Sequence, residues 1–238
     1  MRILVTGGSG LLGGFLVPRL SQSHEVQGLD IQDGDISDPR FVRDRIQDFR
    51  PEVVFHLAAW TAVDRCEADP DTAFRVNAEG SRVVAAEAEN AGARVISVST
   101  DYVFDGASSR PYTEDATPAP LSVYGRSKLA GEEAVRGAST RWTVVRSAWL
   151  YGHTGPNFVD TILGLLGRQD RVRVVDDQVG SPTYAQDLAE AMIGLMESRA
   201  DEMFHVDNRC AVSWSGLAAE AARLSGMDPS RVEPATTA

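Results

Sequence analysis

Tyr124 and Lys128 are the residues of this sequence whose types and spacing most directly indicate chemistry. They stand four positions apart in SVYGRSKLAGEE, where Ser122 can cap the start of a helix and Gly137 can end it, so both side chains lie on one helix face. A free tyrosine has a pKa of about 10 and needs a nearby cation to exchange protons near neutral pH. The pair therefore predicts acid–base catalysis by Tyr124, with the Lys128 ammonium as its supporting charge.

Lys128 is the only lysine in the chain, and the other members of its 23 Lys plus Arg residues are all arginines. A lysine ammonium is a compact point charge, whereas an arginine guanidinium is a broad planar fork, so the two are not interchangeable at a confined site. The exception indicates that position 128 requires an ammonium, which can also hold the ribose of a cofactor.

Thr100 follows Ser99 at the end of VISVST, an apolar run that predicts a strand. Doubly wound sheets bind their ligands at the carboxyl ends of the strands, and a hydroxyl at that edge can hydrogen-bond both a tyrosine phenol and a substrate carbonyl. Thr100 is therefore the third candidate catalytic residue. Together, Thr100, Tyr124 and Lys128 resemble the catalytic triad of the short-chain dehydrogenases/reductases.

A glycine-rich turn near the N-terminus predicts a site for a dinucleotide. In VTGGSGLLGG, Gly7, Gly10 and Gly13 have GxxGxxG spacing, directly after a predicted strand and at the start of a predicted helix. Such a turn lets a pyrophosphate approach bare backbone and places it at the N–H groups of the helix start.

Asp30 closes the second predicted strand, where a carboxylate can accept hydrogen bonds from the ribose hydroxyls of adenosine. The same charge repels a 2′-phosphate, and the glycine turn carries Ser9 but no arginine. We therefore expect NADH or NADPH as cofactor, with NADH slightly favoured.

The elements that must position these residues alternate in type along the chain. Short apolar runs (RILVT, EVQGLD, EVVFHLA, ARVISVST and WTVVRSAWLYG) alternate with helical segments, including an Ala-rich helix expected near residues 71 to 91. This order predicts an α/β fold, a Rossmann-type doubly wound parallel sheet with helices on both faces. We expect an NAD(P)-binding domain over residues 1–150 and, over 151–238, a small C-terminal substrate-binding lobe partly woven back into the sheet.

The composition excludes several classes of function. A net charge of -11 and a pI near 4.8 argue against a nucleic-acid or membrane partner, because binding to such phosphate surfaces needs a basic patch. The two cysteines, Cys66 and Cys210, lack the spacing of a zinc site or a disulfide framework. With no signal peptide and no apolar run of membrane-spanning length, the sequence predicts a cytoplasmic protein.

The sequence segments around the triad make the family resemblance more specific. The segments HLAAWTAVDRCEADP, VNAEG, STDYVFDG, PYTEDATPAPLSVYGRSKLAGE and DDQVGSPTYAQDLA occur in this order. Together they resemble the dTDP-4-dehydrorhamnose reductase branch of the extended short-chain dehydrogenases/reductases, from residue 1 to about residue 208. STDYVFDG and DQxGxPT are specific to the branch, whereas GxxGxxG and YxxxK define only the superfamily.

The resemblance implies a reaction. Tyr124 would protonate the C4 oxygen of a nucleotide-linked 4-keto-6-deoxysugar while a reduced nicotinamide delivers hydride to C4. Lys128 would lower the pKa of Tyr124, and Thr100 would orient it. The residues implied to line the cofactor site are Gly7, Gly10, Leu11, Leu12, Gly13, Asp30, Asp35, Ile36, Ala58, Ala59, Trp60, Tyr124 and Lys128. The residues implied to contact the sugar are Val63, Asp64, Thr100, Asp101, Tyr102 and Trp149.

Two departures from the family pattern limit what it implies. Some bacterial members pair through a magnesium ion held by a Glu two positions beyond the last motif glycine; Phe15 stands there, so we expect no such metal. We expect the protein to be a monomer or a homodimer. The family also usually continues beyond RVEPATTA, which implies either a truncated C-terminus or an unusually open nucleotide-sugar pocket.

Three other functions share these motifs. A sugar dehydratase or epimerase is the nearest enzymatic rival, although dehydratases carry an acid where Tyr102 follows Asp101. A 4-ketoreductase of a secondary-metabolite deoxysugar pathway is equally compatible. A non-catalytic NAD(P)-binding regulatory subunit, resembling that of methionine adenosyltransferase, would also keep the triad.

Overall fold

The computed structural model describes residues 1–237. Its strands are β1 (Arg2–Thr6), β2 (Glu25–Leu29), β3 (Val53–His56), β4 (Arg94–Thr100), β5 (Trp142–Ser147), β6 (Leu150–Tyr151), β7 (Val172–Val175), β8 (Val179–Gly180), β9 (Thr183–Tyr184), β10 (Met203–His205), β11 (Val212–Ser213) and β12 (Val232–Ala235). Its α-helices are α1 (Gly13–Leu20), α2 (Pro39–Phe49), α3 (Val63–Ala68), α4 (Pro70–Phe74), α5 (Gly80–Asn90), α6 (Val123–Ala138), α7 (Phe158–Leu166), α8 (Ala185–Ser198) and α9 (Trp214–Leu224).

Six strands form the central sheet in the order β10-β5-β4-β3-β1-β2, and all neighbouring pairs are parallel. The chain leaves β1 for β2 on one side and then returns to β3 on the other side, so a crevice opens at the carboxyl ends of β1 and β3. The predicted doubly wound α/β fold is confirmed.

The sheet is buried on both faces because neighbouring residues of each strand point in opposite directions. Ile3 and Val5 of β1 face a core cluster shared with α1 and α8, whereas Leu4 between them faces a second cluster shared with α2, α5 and α6. A strand that is buried on both faces has apolar residues at successive positions. The positions of these strands were therefore evident from the sequence.

The second half of the chain divides between two cores. Residues of α7, β7, α9 and β12 form a separate cluster, and β12 pairs in parallel with β7. In contrast, α8 packs on the main core and β10 pairs with β5 at the edge of the central sheet. The division at residue 150 stays a prediction, and segments after it contribute to both cores.

Two predicted elements are interrupted. The helix expected near 71 to 91 consists of α4, a π-helical turn at Arg75–Glu79, and α5. The strand expected over 142 to 152 stops at Ser147, because Trp149 adopts a left-handed backbone conformation with φ +49° and breaks the β ladder. Both interruptions lie beside the large cavity described next. No helix within residues 1–237 is long and apolar enough to span a membrane.

Candidate active site

A cavity of about 800 Å³ lies along the carboxyl edge of the sheet, between the glycine turn and the start of α9. Of the predicted site residues, Asp64 is the one that does not line it. The lining includes Gly7, Gly10, Leu11, Leu12, Gly13, Asp30, Asp35, Ile36, Ala58, Ala59, Trp60, Val63, Thr100, Asp101, Tyr102, Tyr124, Lys128 and Trp149. The structure therefore brings the predicted cofactor, catalytic and substrate residues to one site.

The glycine turn, here called the glycine cradle, is packed so tightly that side chains at Gly7 and Gly13 would collide with neighbouring backbone. Gly7 has φ +73°, and a Cβ placed on it would lie 2.8 Å from the backbone nitrogen of Ala58, which follows β3. A Cβ on Gly13 would lie 2.4 Å from the carbonyl oxygens of both Gly7 and Gly8. The first turn of α1 is thus packed directly on the loop, and the start of the helix lies beside the space that a pyrophosphate needs.

Gly13→Ala is expected to weaken NADH and NADPH binding at least about tenfold, because the added methyl group must push α1 away from the glycine turn. Titration of the fluorescence of the reduced cofactor measures the effect. Gly194→Ala is the matched control, since a Cβ at this position of α8 meets nothing within 4 Å. Wild-type affinity in the Gly13 variant would show that the phosphates bind elsewhere.

Asp30 lies at the end of β2, beside the glycine turn. Its carboxylate accepts the backbone N–H of Ser9 at 3.2 and 3.0 Å, and its own N–H is donated to the Asp33 carboxylate at 2.8 Å. These bonds fix a negative charge at the position expected for the adenosine ribose.

An ion pair that sequence reasoning missed lies at the same end of the cavity. Arg75, in the π-helical turn, pairs with the Asp35 carboxylate. Burial raises the pKa of Asp35, but hydrogen bonds from Ser37 and the Arg75 charge outweigh it, and the net pKa is lowered. Arg75 belongs to no motif, and it lies at the start of the turn that interrupts the predicted helix.

Tyr124 occupies the first turn of α6, which Ser122 caps by accepting the Gly125 N–H at 3.0 Å. Tyr124 is 8% exposed, and its ring packs edge-on against Tyr102 with centroids 5.5 Å apart. Burial raises the pKa of Tyr124 above its usual range, although a hydrogen bond with the Thr100 hydroxyl acts in the opposite direction. The phenol is therefore protonated at neutral pH, as a proton donor must be.

Lys128 lies one turn further along α6 and is 7% exposed. Its ammonium donates a hydrogen bond of 2.8 Å to the carbonyl of Val98. Burial lowers the pKa of Lys128 to about 8, and the negative charge of Glu132 opposes this shift. Burial is the largest influence on the pKa of Tyr124, and it acts against the lowering expected from Lys128. That Lys128 lowers the pKa of Tyr124 therefore stays a prediction.

The end of β4 adds further polar groups to the cavity. The Thr100 hydroxyl donates to the Asp101 carboxylate at 3.0 Å, and burial raises the pKa of Asp101 to about 6. The Thr100 bond opposes this shift, whereas the nearby Asp207 charge adds to it. The buried Ser99 hydroxyl has no hydrogen-bond partner within residues 1–237, and it lines the cavity, where a ligand could pair with it.

A chain of buried polar groups positions α6 against the sheet. His56 Nδ1 lies 2.8 Å from the Thr6 hydroxyl, and its Nε2 lies 3.0 Å from the Ser81 hydroxyl. Because Ser81 donates to the carbonyl of Asn77, its oxygen is free to accept, which assigns the histidine proton to Nε2. Burial and, to a smaller extent, the Lys128 charge together lower the pKa of His56 to about 3, so the ring is neutral.

The chain continues from Asn77 to the catalytic helix. The Asn77 amide donates to the Ser127 hydroxyl at 3.0 Å, and Ser127 donates to the carbonyl of Tyr124 at 2.8 Å. The same Asn77 exchanges hydrogen bonds with the N–H and carbonyl of Trp60 at 2.7 and 3.1 Å. The π-helical turn thus ties the cofactor side of the cavity to α6.

The substrate side of the cavity differs from the sequence prediction at two residues. Trp149 lines the cavity together with Trp214, the first residue of α9, which no sequence motif had indicated. Asp64 is exposed and lies outside the lining, whereas the preceding Val63 is part of it. Burial raises the pKa of Tyr102, and the charges of Asp101 and then Asp64 raise it further.

Phe15 stands where the family resemblance implies a metal-holding Glu, and its neighbours are aromatic side chains. Phe15 packs edge-on against His153 and Tyr184, with centroid separations of 4.7 and 5.5 Å. No group of three or more His, Cys, Asp or Glu side chains arranged to hold a metal ion occurs within residues 1–237.

The sheet order, the glycine cradle and the Tyr124–Lys128 pair define the class of dinucleotide-binding short-chain dehydrogenases/reductases. The cradle fits the pyrophosphate of NAD(H) or NADP(H), because the positions that must approach it lack side chains.

Comparison with known proteins identifies the family within that class. Residues 1–238 match the family described as RmlD substrate binding domain. The chain is 43% identical over 243 residues to a dTDP-4-dehydrorhamnose reductase of Streptomyces griseus, covering 99% of this chain and 80% of the relative. It is 42% identical over 235 residues to a dTDP-4-keto-6-deoxy-D-glucose reductase of Streptomyces niveus, covering 98% of this chain and 82% of that one.

A solved structure agrees with these matches. The crystal structure of the dTDP-4-dehydrorhamnose reductase of Bacillus anthracis in complex with NADP has a TM-score of 0.96 and 36% identity, and the match covers 99% of this chain and 85% of that one. The chain belongs to the dTDP-4-dehydrorhamnose reductase family.

Proposed function

We propose that the protein reduces the C4 ketone of a dTDP-linked 4-keto-6-deoxyhexose to an alcohol, with NADH or NADPH as reductant. The observation that carries the proposal is the buried, protonated Tyr124 beside Thr100, in the same cavity as the glycine cradle. The names of the two Streptomyces reductases support the substrate class.

The residues divide the reaction between them. The reduced cofactor, when bound, supplies a hydride to C4. Tyr124 donates its proton to the C4 oxygen, so that hydride and proton together convert the ketone to an alcohol. Thr100 orients the phenol and the carbonyl through its hydroxyl, and the Lys128 ammonium stabilises the phenolate that remains. Bulk solvent must return the proton to Tyr124 before the next cycle.

The substrate side of the cavity is assigned by the same proposal. Asp101, Tyr102, Val63 and Trp149 contact the sugar, and the exposed Asp64 lies close enough for its charge to act on Tyr102. Residues 151–238 act as the substrate-binding lobe, an assignment supported by Trp214 and Pro156 in the cavity wall. The expected lack of nucleic-acid and membrane partners, the cytoplasmic location and the monomeric or homodimeric state stay predictions.

One assay tests the proposed function. The purified protein is mixed with NADH or NADPH and with enzymatically generated dTDP-4-keto-6-deoxyhexose, and the loss of reduced-cofactor absorbance is followed. Cofactor consumption that depends on the ketosugar is expected. Measurable cofactor binding without consumption would contradict the reductase and favour a regulatory cofactor-binding subunit.

The likeness to the Streptomyces niveus relative, named dTDP-4-keto-6-deoxy-D-glucose reductase, favours one related function, reduction of dTDP-4-keto-6-deoxy-D-glucose. Both functions use the same chemistry at C4, and they differ in the substrate epimer and in the configuration of the product. Proton NMR of the products formed from each ketosugar epimer would distinguish them.

NADH is expected to bind about five- to tenfold more tightly than NADPH, because the Asp30 carboxylate lies where a 2′-phosphate would add like charge. Asp30→Ala should remove this preference or reverse it. Dissociation constants for both cofactors, measured at two salt concentrations, check the result, since a charge effect weakens with salt. Equal affinities in the wild type would contradict the assignment of Asp30 as the discriminating residue.

A further inference from the structure

Trp149 sits at the interrupted end of β5 in a backbone conformation that bulky residues avoid, with φ +49°. Such strain persists only where the surroundings over-determine it. Asp207 holds the segment from one side by accepting the Ala148 N–H at 2.7 Å. The carbonyl of Trp149 accepts the N–H of Thr183 at 3.2 Å, and β6 then pairs with β9.

The indole of Trp149 has neighbours on both of its faces. Trp214 stacks on one face, with ring centroids 3.5 Å apart and planes within 9° of parallel. A Cβ placed on Gly180 would lie 2.5 Å from Cε2 of the indole and 2.7 and 2.8 Å from Cζ2 and Nε1, which are both bonded to Cε2. Because the central atom is the nearest of the three, Gly180 lies over the ring and not beyond its edge.

The two neighbours must occupy opposite faces, since a ring stacked at 3.5 Å leaves no space for backbone on the same side. The antiparallel pairing of β8 with β11 explains how they come together. Val212 pairs with Gly180, and Ser213 pairs with Val179, so Trp214 follows immediately at the start of α9. Phe158 of α7 supports Trp214 with a centroid separation of 4.4 Å.

We propose that Gly180 and Trp214 are positioning residues, which clamp the two faces of the Trp149 indole so that its remaining edge forms the wall against which the hexose of a nucleotide sugar binds. The clamp joins three segments that are distant in sequence, and both tryptophans line the cavity that holds Tyr124. A rigid aromatic wall fixes the orientation of a small ring so that C4 faces the proton donor. The inference rests on the proposed function, because it takes the sugar as the occupant.

The test compares Gly180→Ala, Trp214→Ala and Trp214→Phe with the wild type in the ketosugar assay. The Gly180 and Trp214→Ala variants should raise KM for the ketosugar at least about tenfold, and Trp214→Phe, which keeps an aromatic face, should raise it less. Cofactor dissociation constants should change less than about twofold, because these residues lie outside the glycine cradle. Gly164→Ala in α7 is the control, since a Cβ there meets nothing within 4 Å.

A double-mutant cycle separates positioning of Trp149 from general loosening of the lobe. In a Trp149→Ala background, Gly180→Ala should raise KM no further, because it acts through the missing indole. Additive effects would overturn the clamp, and so would an unchanged KM in Gly180→Ala.

Binding of dTDP-glucose, measured by isothermal titration, distinguishes failure of the clamp from failure of the reductase. If the wild type binds dTDP-glucose but does not reduce the ketosugar, the reductase is refuted. If Gly180→Ala also fails to bind dTDP-glucose, the clamp is retained. A wild type that reduces the ketosugar, with variants whose KM is unchanged, would support the reductase and refute the clamp. A wild type that neither reduces nor binds a dTDP-hexose would overturn both.

Discussion

Tyr124→Phe is expected to lower kcat for ketosugar reduction by about 10²- to 10⁴-fold, the range that a positioned general acid contributes. The substitution removes one hydroxyl and keeps the ring that packs on Tyr102. Since burial raises the pKa of Tyr124, the phenol retains its proton until a carbonyl oxygen with developing negative charge approaches it. The hydrogen bond with the Thr100 hydroxyl holds the phenol in place for this transfer.

Three measurements make the Tyr124 prediction specific. Single-turnover oxidation of the reduced cofactor reports the chemical step, cofactor titration should give affinity within about twofold of wild type, and the melting temperature should stay nearly constant. Tyr151→Phe is the matched control, since Tyr151 packs on Tyr184 and is not part of the cavity lining. If the Tyr124 variant kept more than about a tenth of the rate, Tyr124 would not be the proton donor.

The sequence predicted the parts of the fold that local patterns determine. Strands such as VVFH (Val53–His56) are buried on both faces, so their apolar runs are continuous and their positions are evident. The glycine cradle and the Tyr124–Lys128 pair were equally accessible, because strand-turn-helix geometry and the helical period fix them within a few residues.

The interruptions could not be predicted, because contacts between distant segments cause them. The left-handed Trp149 depends on Asp207, Gly180 and Trp214, and the π-helical turn depends on the bonds between Asn77 and Trp60. No local sequence pattern indicates these contacts. Arg75 lies in the π-helical turn, and Trp214 reaches the cavity through the pairing of β8 with β11, so the motif analysis identified neither of them.

Asp64 shows the limit of transferring residues by family resemblance. It follows Val63 in the short helix α3, and successive helical residues point about 100° apart. When Val63 lines the cavity, its neighbour is directed away from it, and Asp64 is exposed. Its contact with the sugar stays a prediction that this orientation does not support.

Lys128→Arg is expected to lower kcat about 10²-fold or more, although it preserves the charge. Lys128 is 7% exposed, and its ammonium reaches the Val98 carbonyl at 2.8 Å, in a space that a planar guanidinium does not match. Arg126→Lys is the reciprocal control on the same helix, since Arg126 is exposed and bonds the carbonyl of Leu121. It should leave kcat within about twofold of wild type.

The pH dependence of kcat provides a second test of the same lysine. Burial lowers the pKa of Lys128 to about 8, so the ammonium is present below that pH and is lost above it. The wild-type rate of ketone reduction should therefore fall as the pH rises through about 8. An arginine stays protonated throughout this range, so the residual rate of Lys128→Arg should show no such decline. A decline shared by both proteins would assign the titration to another group, and wild-type turnover in the variant would make the single lysine an accident of composition.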